Sequence, residues 1–247
     1  MGRMIVPIAF VLAAVFSFLL WWNLPIIGEV GKNIQQGGPL VAGLILLLIL
    51  QTSFILERIW SLRKARGRGP LPDFLGGVRR RLHTGDVDGA VKLCSQQRGS
   101  AANVIRAGLE RYMQLRAEGA TKEKIVAETQ AAIQEANGLE VPLLERNLIA
   151  LSTIASISTM VGLLGTVVGM IRSFAALGHT GAVDATKLAI GISEALINTA
   201  GGLIVASAGI VSYNVFVTRV DNFNYMMDEA SYEAIQLLAA GSPEKAR

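Results

Sequence analysis

The sequence predicts an all-α membrane protein whose long transmembrane helices continue into a cytoplasmic helical domain. Of its 247 residues, 51% are hydrophobic and 17% are charged, whereas about 25% are charged in ordinary soluble domains. The charges are also segregated, since residues 58–147 hold 16 of the 23 Lys and Arg and 10 of the 19 Asp and Glu. The rest of the chain consists mainly of long apolar runs, which argues against a purely soluble protein.

Four stretches are long enough to cross a bilayer, because about 30 Å of hydrocarbon requires about 20 residues at 1.5 Å each. They are residues 4–22, 39–56, 148–171 and 188–216. The first resembles a signal peptide in length, but no convincing small-x-small cleavage site follows Trp22. A retained N-terminal helix is therefore favoured, while a spanning position, a peripheral position and cleavage all stay open.

The basic residues predict the orientation of these spans, because loops rich in Lys and Arg stay in the cytoplasm. Arg58, Arg63 and the run 79–81 follow the second span, whereas residues 23–38 carry one Lys. His179 and Asp184, in the loop before the last span, are expected to be solvated. The expected segments are an N-terminal apolar helix with a short periplasmic segment (1–38), transmembrane helices (39–60, 148–174 and 188–217), a cytoplasmic helical domain (61–147), a periplasmic loop (175–187) and a cytoplasmic C-terminal helix and tail (218–247).

Within the cytoplasmic block, apolar helical patterns alternate with Pro and Gly, which is typical of a small helical domain. Thr121 is a plausible N-cap of a long helix. That helix is expected to kink at Pro142 and otherwise to run on into the third span. Residues 218–239 have the pattern of a separate amphipathic helix.

The sequence supports no nucleic-acid, metal or redox site. A pI near 9.4 comes with no aromatic-interleaved basic patch, so nucleic acid is not an expected partner. The lone Cys94 can form no intrachain disulfide and no Cys/His cluster indicates a metal, so no cofactor is expected. An enzyme is not favoured either, because the spans lack Ser/Lys or Ser/His pairs and paired aspartates.

Glu194 is the one charged residue of the fourth span, where an ionised carboxylate costs about 2.5–3.5 kcal/mol near the bilayer centre. It shares a helix face with Asn198 and Gly201, and no Lys or Arg is expected beside it. Antiparallel packing would place Thr166 of the third span level with Glu194, and Thr199 about a turn and a half deeper. The arrangement suits an ion path in which the carboxylate takes up and releases a cation and the hydroxyls are intermediate ligands.

The same polar residues have a structural alternative, because hydroxyls in membrane helices often bond helix carbonyls. Ser193 and Asn198 are secondary candidates for the path, and they would coordinate sodium as readily as relay a proton. Small residues in the last two spans predict close helix packing. They are Gly162, Gly165, Gly169, Gly201 and Gly202.

Residues 161–174 (VGLLGTVVGMIRSF) and 191–206 (GISEALINTAGGLIVA) together resemble the signature pair of the MotA/TolQ/ExbB proton-channel family, most closely its ExbB members. By motif position, the resemblance implies that Thr166, Glu194 and Thr199 line a lumen. It also implies a homopentamer of three-span subunits in the bacterial inner membrane, enclosing the single transmembrane helices of an ExbD-like partner whose aspartate carries protons. Proton flow would then do mechanical work on a TonB-like protein for outer-membrane transport.

Other roles within and beyond this resemblance stay open. A TolQ-like subunit, a gliding-type or flagellar-type stator subunit and a non-conducting scaffold for the partner helix are the alternatives. The chain also departs from the family at Ser207-Ala208-Gly209, where members commonly have Ile-Pro-Ala, so a bend there would have to come from glycine and serine instead of proline.

Overall fold

The computed structural model describes residues 2–178 and 185–241, and no strand occurs among them. His179, Asp184 and the predicted tail from residue 242 lie outside these ranges. The helices are α1 (Gly2–Asn23), α2 (Glu29–Gln35), α3 (Pro39–Arg66), α4 (Leu71–His83), α5 (Val87–Gln97), α6 (Ser100–Ala117), α7 (Lys122–Glu145), α8 (Leu148–Gly178) and α9 (Ala185–Gly241). The predicted all-α class is confirmed.

The chain forms two compact units. One, here called the apolar unit, contains the residues up to Leu56 and Asn147–Val215, and the other, the charged unit, contains Glu57–Arg146 and the residues from Phe216.

Three helical stretches in the described residues are long and apolar enough to cross a membrane: Pro39–His83, Lys122–Ala175 and Ala185–Ala240. The most apolar 18-residue segments of these stretches have mean hydropathies of 2.3, 2.0 and 1.7. Only 22%, 33% and 28% of the residues in those segments are buried. Most residues in these segments therefore keep some exposed surface in the single chain. Such faces are suited to lipid or to further protein helices.

The N-terminal segment is helical as predicted, and it packs on the start of α3. Ser17 of α1 is buried, and its hydroxyl donates a hydrogen bond to the carbonyl of Ala42. On its other side α1 exposes Phe16 and Trp22. Helix α1 has 22 residues and an apolar sequence.

The core of the charged unit is centred on α6, whose Val104, Ile105 and Leu109 are at most 1% exposed. Helix α7 packs closely against α6, because a Cβ on Gly108 would lie 2.6 Å from Cδ1 of Ile133.

Pro142 lies inside α7, and the helix ends three residues later at Glu145 rather than running on into α8 as expected. Asn147 then adopts a φ of +63°. The end of α7 is held by Arg58, which is 1% exposed and donates from Nη1 to the carbonyl of Leu144 at 3.0 Å. Two further hydrogen bonds of 2.9 Å join its guanidinium to the carboxylate of Glu57. A buried, paired cation thus satisfies a carbonyl near the helix end.

Helix α9 is a single helix of 57 residues, and the predicted separate helix over 218–239 is its continuation. It passes through residues 207–209 without a break, and a Cβ on Gly209 would lie 2.8 Å from that of Ala155. In the charged unit, apolar residues are buried at alternating spacings of three and four, as in a coiled-coil seam. They include Phe216, Val220, Phe223 and Met227.

Candidate functional site

Glu194 lies on α9 within the apolar unit and is 7% exposed. Its Oε1 accepts a hydrogen bond from Nη1 of Arg172 on α8. In the single chain the Arg172 side chain is 54% exposed and that of Glu194 is 9% exposed, so the arginine is about half open while the carboxylate is covered. The expectation that no basic residue lies beside Glu194 is wrong, because Arg172 follows the third span directly and reaches back to it.

Gly38, at the start of α3, provides the space that this carboxylate occupies. A Cβ on Gly38 would collide with Oε1 of Glu194. The backbone there also has a φ of +74°, which favours glycine over other residues. The carboxylate is therefore enclosed by three helices, with the backbone of α3 on one side and Arg172 of α8 on another.

Asn198, one turn further along α9, is fully buried and ties α9 to the same end of α3. Its Nδ2 donates to the carbonyl of Gly37 at 2.7 Å and to that of Glu194 at 2.9 Å. Its Oδ1 is buried and has no hydrogen-bond partner in the described part of the chain. On α8, Gly165 leaves the room that the Asn198 side chain fills. Asn198 thus offers an open acceptor, suited to a water or a cation, one turn from the carboxylate.

The hydroxyls of the two predicted threonines bond backbone carbonyls in the single subunit. Thr199 donates across the helix pair to Gly162 at 3.3 Å, and Thr166 donates within α8 to Leu163 at 2.6 Å. Such hydrogen bonds are expected if the threonine hydroxyls have a structural role in the helix pair. Both threonines are half-buried, as is Ser193 beside Glu194.

The register of α8 on α9 differs by about one turn from the predicted one. Arg172 pairs with Glu194, and Gly165 lies against Asn198, so Thr166 is level with Asn198 rather than with Glu194. At 1.5 Å per residue, the axial offset between Thr166 and Glu194 is about 5 Å. The structure therefore brings Glu194, Asn198 and Thr199 into one stretch of α9 but does not bring the Thr166 hydroxyl to the carboxylate.

Glycines line the contact between α8 and α9. A Cβ on Gly202 would lie 2.8 Å from the Cα of Gly162, and one on Gly169 would lie 2.7 Å from the carbonyl oxygen of Gly191. Gly201 faces α3 instead, where a Cβ would lie 3.2 Å from a leucine methyl group. Any larger residue at the first two contacts forces the helix backbones apart.

Sequence reasoning missed two features around Glu194 and a third further along α3, beside Gly209. Arg172 was overlooked because it lies just outside the charge-free run of the third span. The backbone of Gly37 and Gly38 was overlooked because its role depends on the approach of α3, although two glycines before Pro39 are a visible signal of an unusual backbone. Gln51 of α3 is fully buried with no partner for its amide nitrogen or oxygen in the described residues.

The chemistry of the site is that of oxygen and amide groups. No group of three or more His, Cys, Asp or Glu that could hold a metal ion occurs in residues 2–178 and 185–241. What the geometry offers is a covered carboxylate with a half-exposed cation and a buried amide oxygen beside it. Such a group can bind and release a proton or a small cation.

Comparison with known proteins places this site within a family match. The model of the MotA/TolQ/ExbB proton channel family matches residues 96–229, which include Arg172, Glu194, Asn198 and Thr199. A putative biopolymer transport protein ExbB-like 3 from Synechocystis is 35% identical over 186 residues, 74% of this chain and 82% of the relative. Biopolymer transport protein ExbB from Pseudomonas putida is 25% identical over 84% of this chain and 63% of its own length. The Tol-Pal system protein TolQ from Pseudomonas aeruginosa is 36% identical over 47% of this chain and 51% of its own length.

Proposed function

The chain belongs to the MotA/TolQ/ExbB proton channel family, and from this premise we propose that it is the ExbB-type subunit of an inner-membrane motor. In this proposal, several copies enclose the single transmembrane helix of an ExbD-like partner that carries an aspartate. Proton flow through the complex does mechanical work on a TonB-like protein, which serves outer-membrane active transport. Five copies are expected, and the charged unit is expected to lie in the cytoplasm.

The observation that carries the proposal is the enclosed carboxylate of Glu194 in a membrane helix. A buried carboxylate is costly unless it is paired. Here Glu194 is paired with the half-exposed Arg172, whose side chain can move into water when the carboxylate binds a proton. We propose on this ground that Glu194 is a reversible proton site of the complex.

The remaining polar residues support a path along the same helix pair. Thr199 lies about 7.5 Å deeper than Glu194 at 1.5 Å per residue, and Asn198 presents its open Oδ1 between them. We propose that Thr166 and Thr199 line the lumen with Glu194, and that their hydroxyls exchange helix carbonyls for water or the partner when the complex forms. Ser193 and Asn198 are secondary positions on this path.

The need for a partner follows from the number of carboxylates in the apolar stretches. The four long apolar stretches of this sequence contain one carboxylate, Glu194, and a relay across about 30 Å needs further groups that accept protons. A transmembrane aspartate of the partner would supply one. The apolar side chains that α8 and α9 leave exposed, such as Leu163, Val167 and Ile204, are suited to neighbouring subunits. Each proton that crosses 100 mV yields about 2.3 kcal/mol for the motion.

A TolQ-like role is the second candidate, because relatives named TolQ are 36% and 42% identical to this chain over 117 and 99 residues. The two roles share the proposed proton site and differ in the protein on which the work is done. Complementation distinguishes them: the chain should restore TonB-dependent uptake in a strain that lacks ExbB and TolQ, whereas a TolQ-like protein would restore resistance of the envelope to detergent.

The test of the function is ion flux in liposomes that contain the chain with its single-span partner. A pH-sensitive dye inside the liposomes reports proton uptake when a potassium gradient sets the membrane potential. We expect uptake that requires both proteins and that falls at least tenfold in Thr199→Val. Replacing external sodium with choline should leave the rate unchanged if protons are the ion.

Co-purification of the partner is the matched control. A non-conducting scaffold predicts that Thr199→Val loses the partner and that the wild-type complex shows no uptake above empty liposomes. Either result would contradict the proposal.

A further inference from the structure

A cleft of about 770 Å³ lies within the charged unit, between the end of α3 and the part of α9 that follows Phe216. It is lined on α3 by Ile59, Leu62, Arg63 and Arg66, on α9 by Arg219, Asn222, Phe223 and Met226, and at one end by Pro70, Leu71 and Pro72. Both helices contribute residues at i, i+3, i+4 and i+7, which form one continuous helix face each. The cleft is thus formed by two facing helix stripes.

The charges of this cleft have a single sign. Arg63, Arg66 and Arg219 line it, and no acidic residue does. All three arginines are exposed, and none makes an ion pair or a side-chain hydrogen bond within the described ranges. Elsewhere in the same unit, arginines such as Arg79 and Arg111 are paired with glutamates. The cleft therefore presents about three uncompensated positive charges to whatever enters it.

The other half of the lining is apolar, with Leu71 and Phe223 at its floor. A free phosphate would fill only a small part of 770 Å³ and would gain nothing from these side chains. An amphipathic anion, with a charged head and a hydrocarbon portion, matches both halves of the surface.

The cleft also lies at a depth along α3 that is suited to the headgroups of membrane lipids. The apolar stretch of α3 ends at Leu56, so at 1.5 Å per residue Arg63 is about 10 Å and Arg66 about 15 Å beyond it along the helix. The headgroup layer is about 5–8 Å thick on each side, and arginine side chains extend back toward it. Trp60, 72% exposed on the same turn of α3, is the type of residue that marks the membrane interface.

We propose that this cleft binds the headgroup of an anionic phospholipid, with the three arginines on the phosphate and the apolar floor against the start of the acyl chains. Such binding would fix the end of α3 against α9. It is independent of the proton site at Glu194.

The test uses the delipidated full-length protein in a mild detergent and native mass spectrometry. Dioleoyl phosphatidylglycerol is titrated beside dioleoyl phosphatidylcholine, which has the same chains and no net charge. We expect preferential phosphatidylglycerol adducts. They should weaken about 100-fold when Arg63, Arg66 and Arg219 are all changed to glutamine, because each basic residue near an anionic lipid surface contributes about fivefold.

Two variants make the result specific. Changing Arg80, Lys92 and Arg116 to glutamine removes the same charge from exposed positions outside the cleft, and it should leave the affinity within about twofold. Changing the three cleft arginines to lysine should retain most of the binding, which separates lost charge from a misfolded cleft.

Three results would overturn the proposal: equal loss in the two glutamine variants, equal binding of the two lipids, or displacement of the lipid by inorganic phosphate at the same concentration. The last would assign the cleft to a free anion.

Discussion

The ion pair between Arg172 and Glu194 predicts an asymmetry between its two single substitutions. Arg172→Gln leaves a carboxylate whose side chain is 9% exposed without its cation, whereas Glu194→Gln leaves a guanidinium that is 54% exposed and can be hydrated. A hydrogen bond to a charged group contributes about 1.5–3 kcal/mol, which must be reduced here because half of the arginine is already in water. We expect Arg172→Gln to lower the free energy of unfolding by about 1–2 kcal/mol and Glu194→Gln by less than about 0.5 kcal/mol.

The measurement is a double-mutant cycle in detergent micelles, with unfolding followed by circular dichroism at neutral pH. The double variant should recover most of the loss of Arg172→Gln, since it removes the unpaired buried charge. Arg80→Gln, at an exposed position with no ion pair among the described residues, is the control for a lost positive charge. If Arg172→Gln matches this control, or if Glu194→Gln is the more damaging substitution, the reasoning from burial is refuted.

Three further predictions concern packing and the charged unit. Gly169→Ala should lower the melting temperature, because its Cβ would lie 2.7 Å from a backbone carbonyl oxygen. A Cβ on Gly43 would have nothing within 4 Å, so Gly43→Ala should leave the melting temperature unchanged or raise it, since alanine is favoured over glycine in a helix by about 1 kcal/mol. Equal changes in the two variants would contradict the close approach at Gly169. Burial raises the pKa of the Cys94 thiol to about 12, so its thiolate fraction at pH 8 is about 1,000-fold below that of a thiol with a pKa of 9. N-ethylmaleimide should therefore label Cys94 only after unfolding, as measured by the mass of the chain. Rapid labelling of the folded chain would contradict this burial. Arg58→Met should lower the free energy of unfolding by about 1–3 kcal/mol, because it leaves the carbonyl of Leu144 without its buried hydrogen-bond donor. Limited proteolysis should then cut faster after residue 144. An unchanged cleavage rate would show that the end of α7 does not depend on the cation.

The features that the sequence predicts well are those set by local composition. Apolar runs of bilayer length and segregated charge are enough to predict helices that cross a membrane, and α3, α8 and α9 contain them. The short range of such patterns also explains what was missed. The end of α7 depends on Arg58, which lies 86 residues from Leu144 in the chain.

The candidate site shows the same limit more sharply. Glu194 is visible in the sequence because a lone carboxylate in a span is costly, and Asn198 follows from helical spacing. The partner Arg172 depends on the register of α8 against α9, which is set by contacts such as Gly169 with Gly191. A shift of one turn exchanges which residue faces Glu194, and helix periodicity alone carries no information on that shift.

The account is tested most directly by the initial rate of proton uptake in liposomes that hold the complex with Glu194→Gln. Glutamine has nearly the same shape and cannot exchange a proton at neutral pH, so we expect the rate to fall to the level of empty liposomes while the amount of bound partner stays unchanged. Glu194→Asp retains the carboxyl group and should restore part of the flux. A Glu194→Gln complex that conducts protons at the wild-type rate would contradict the central role given to this carboxylate.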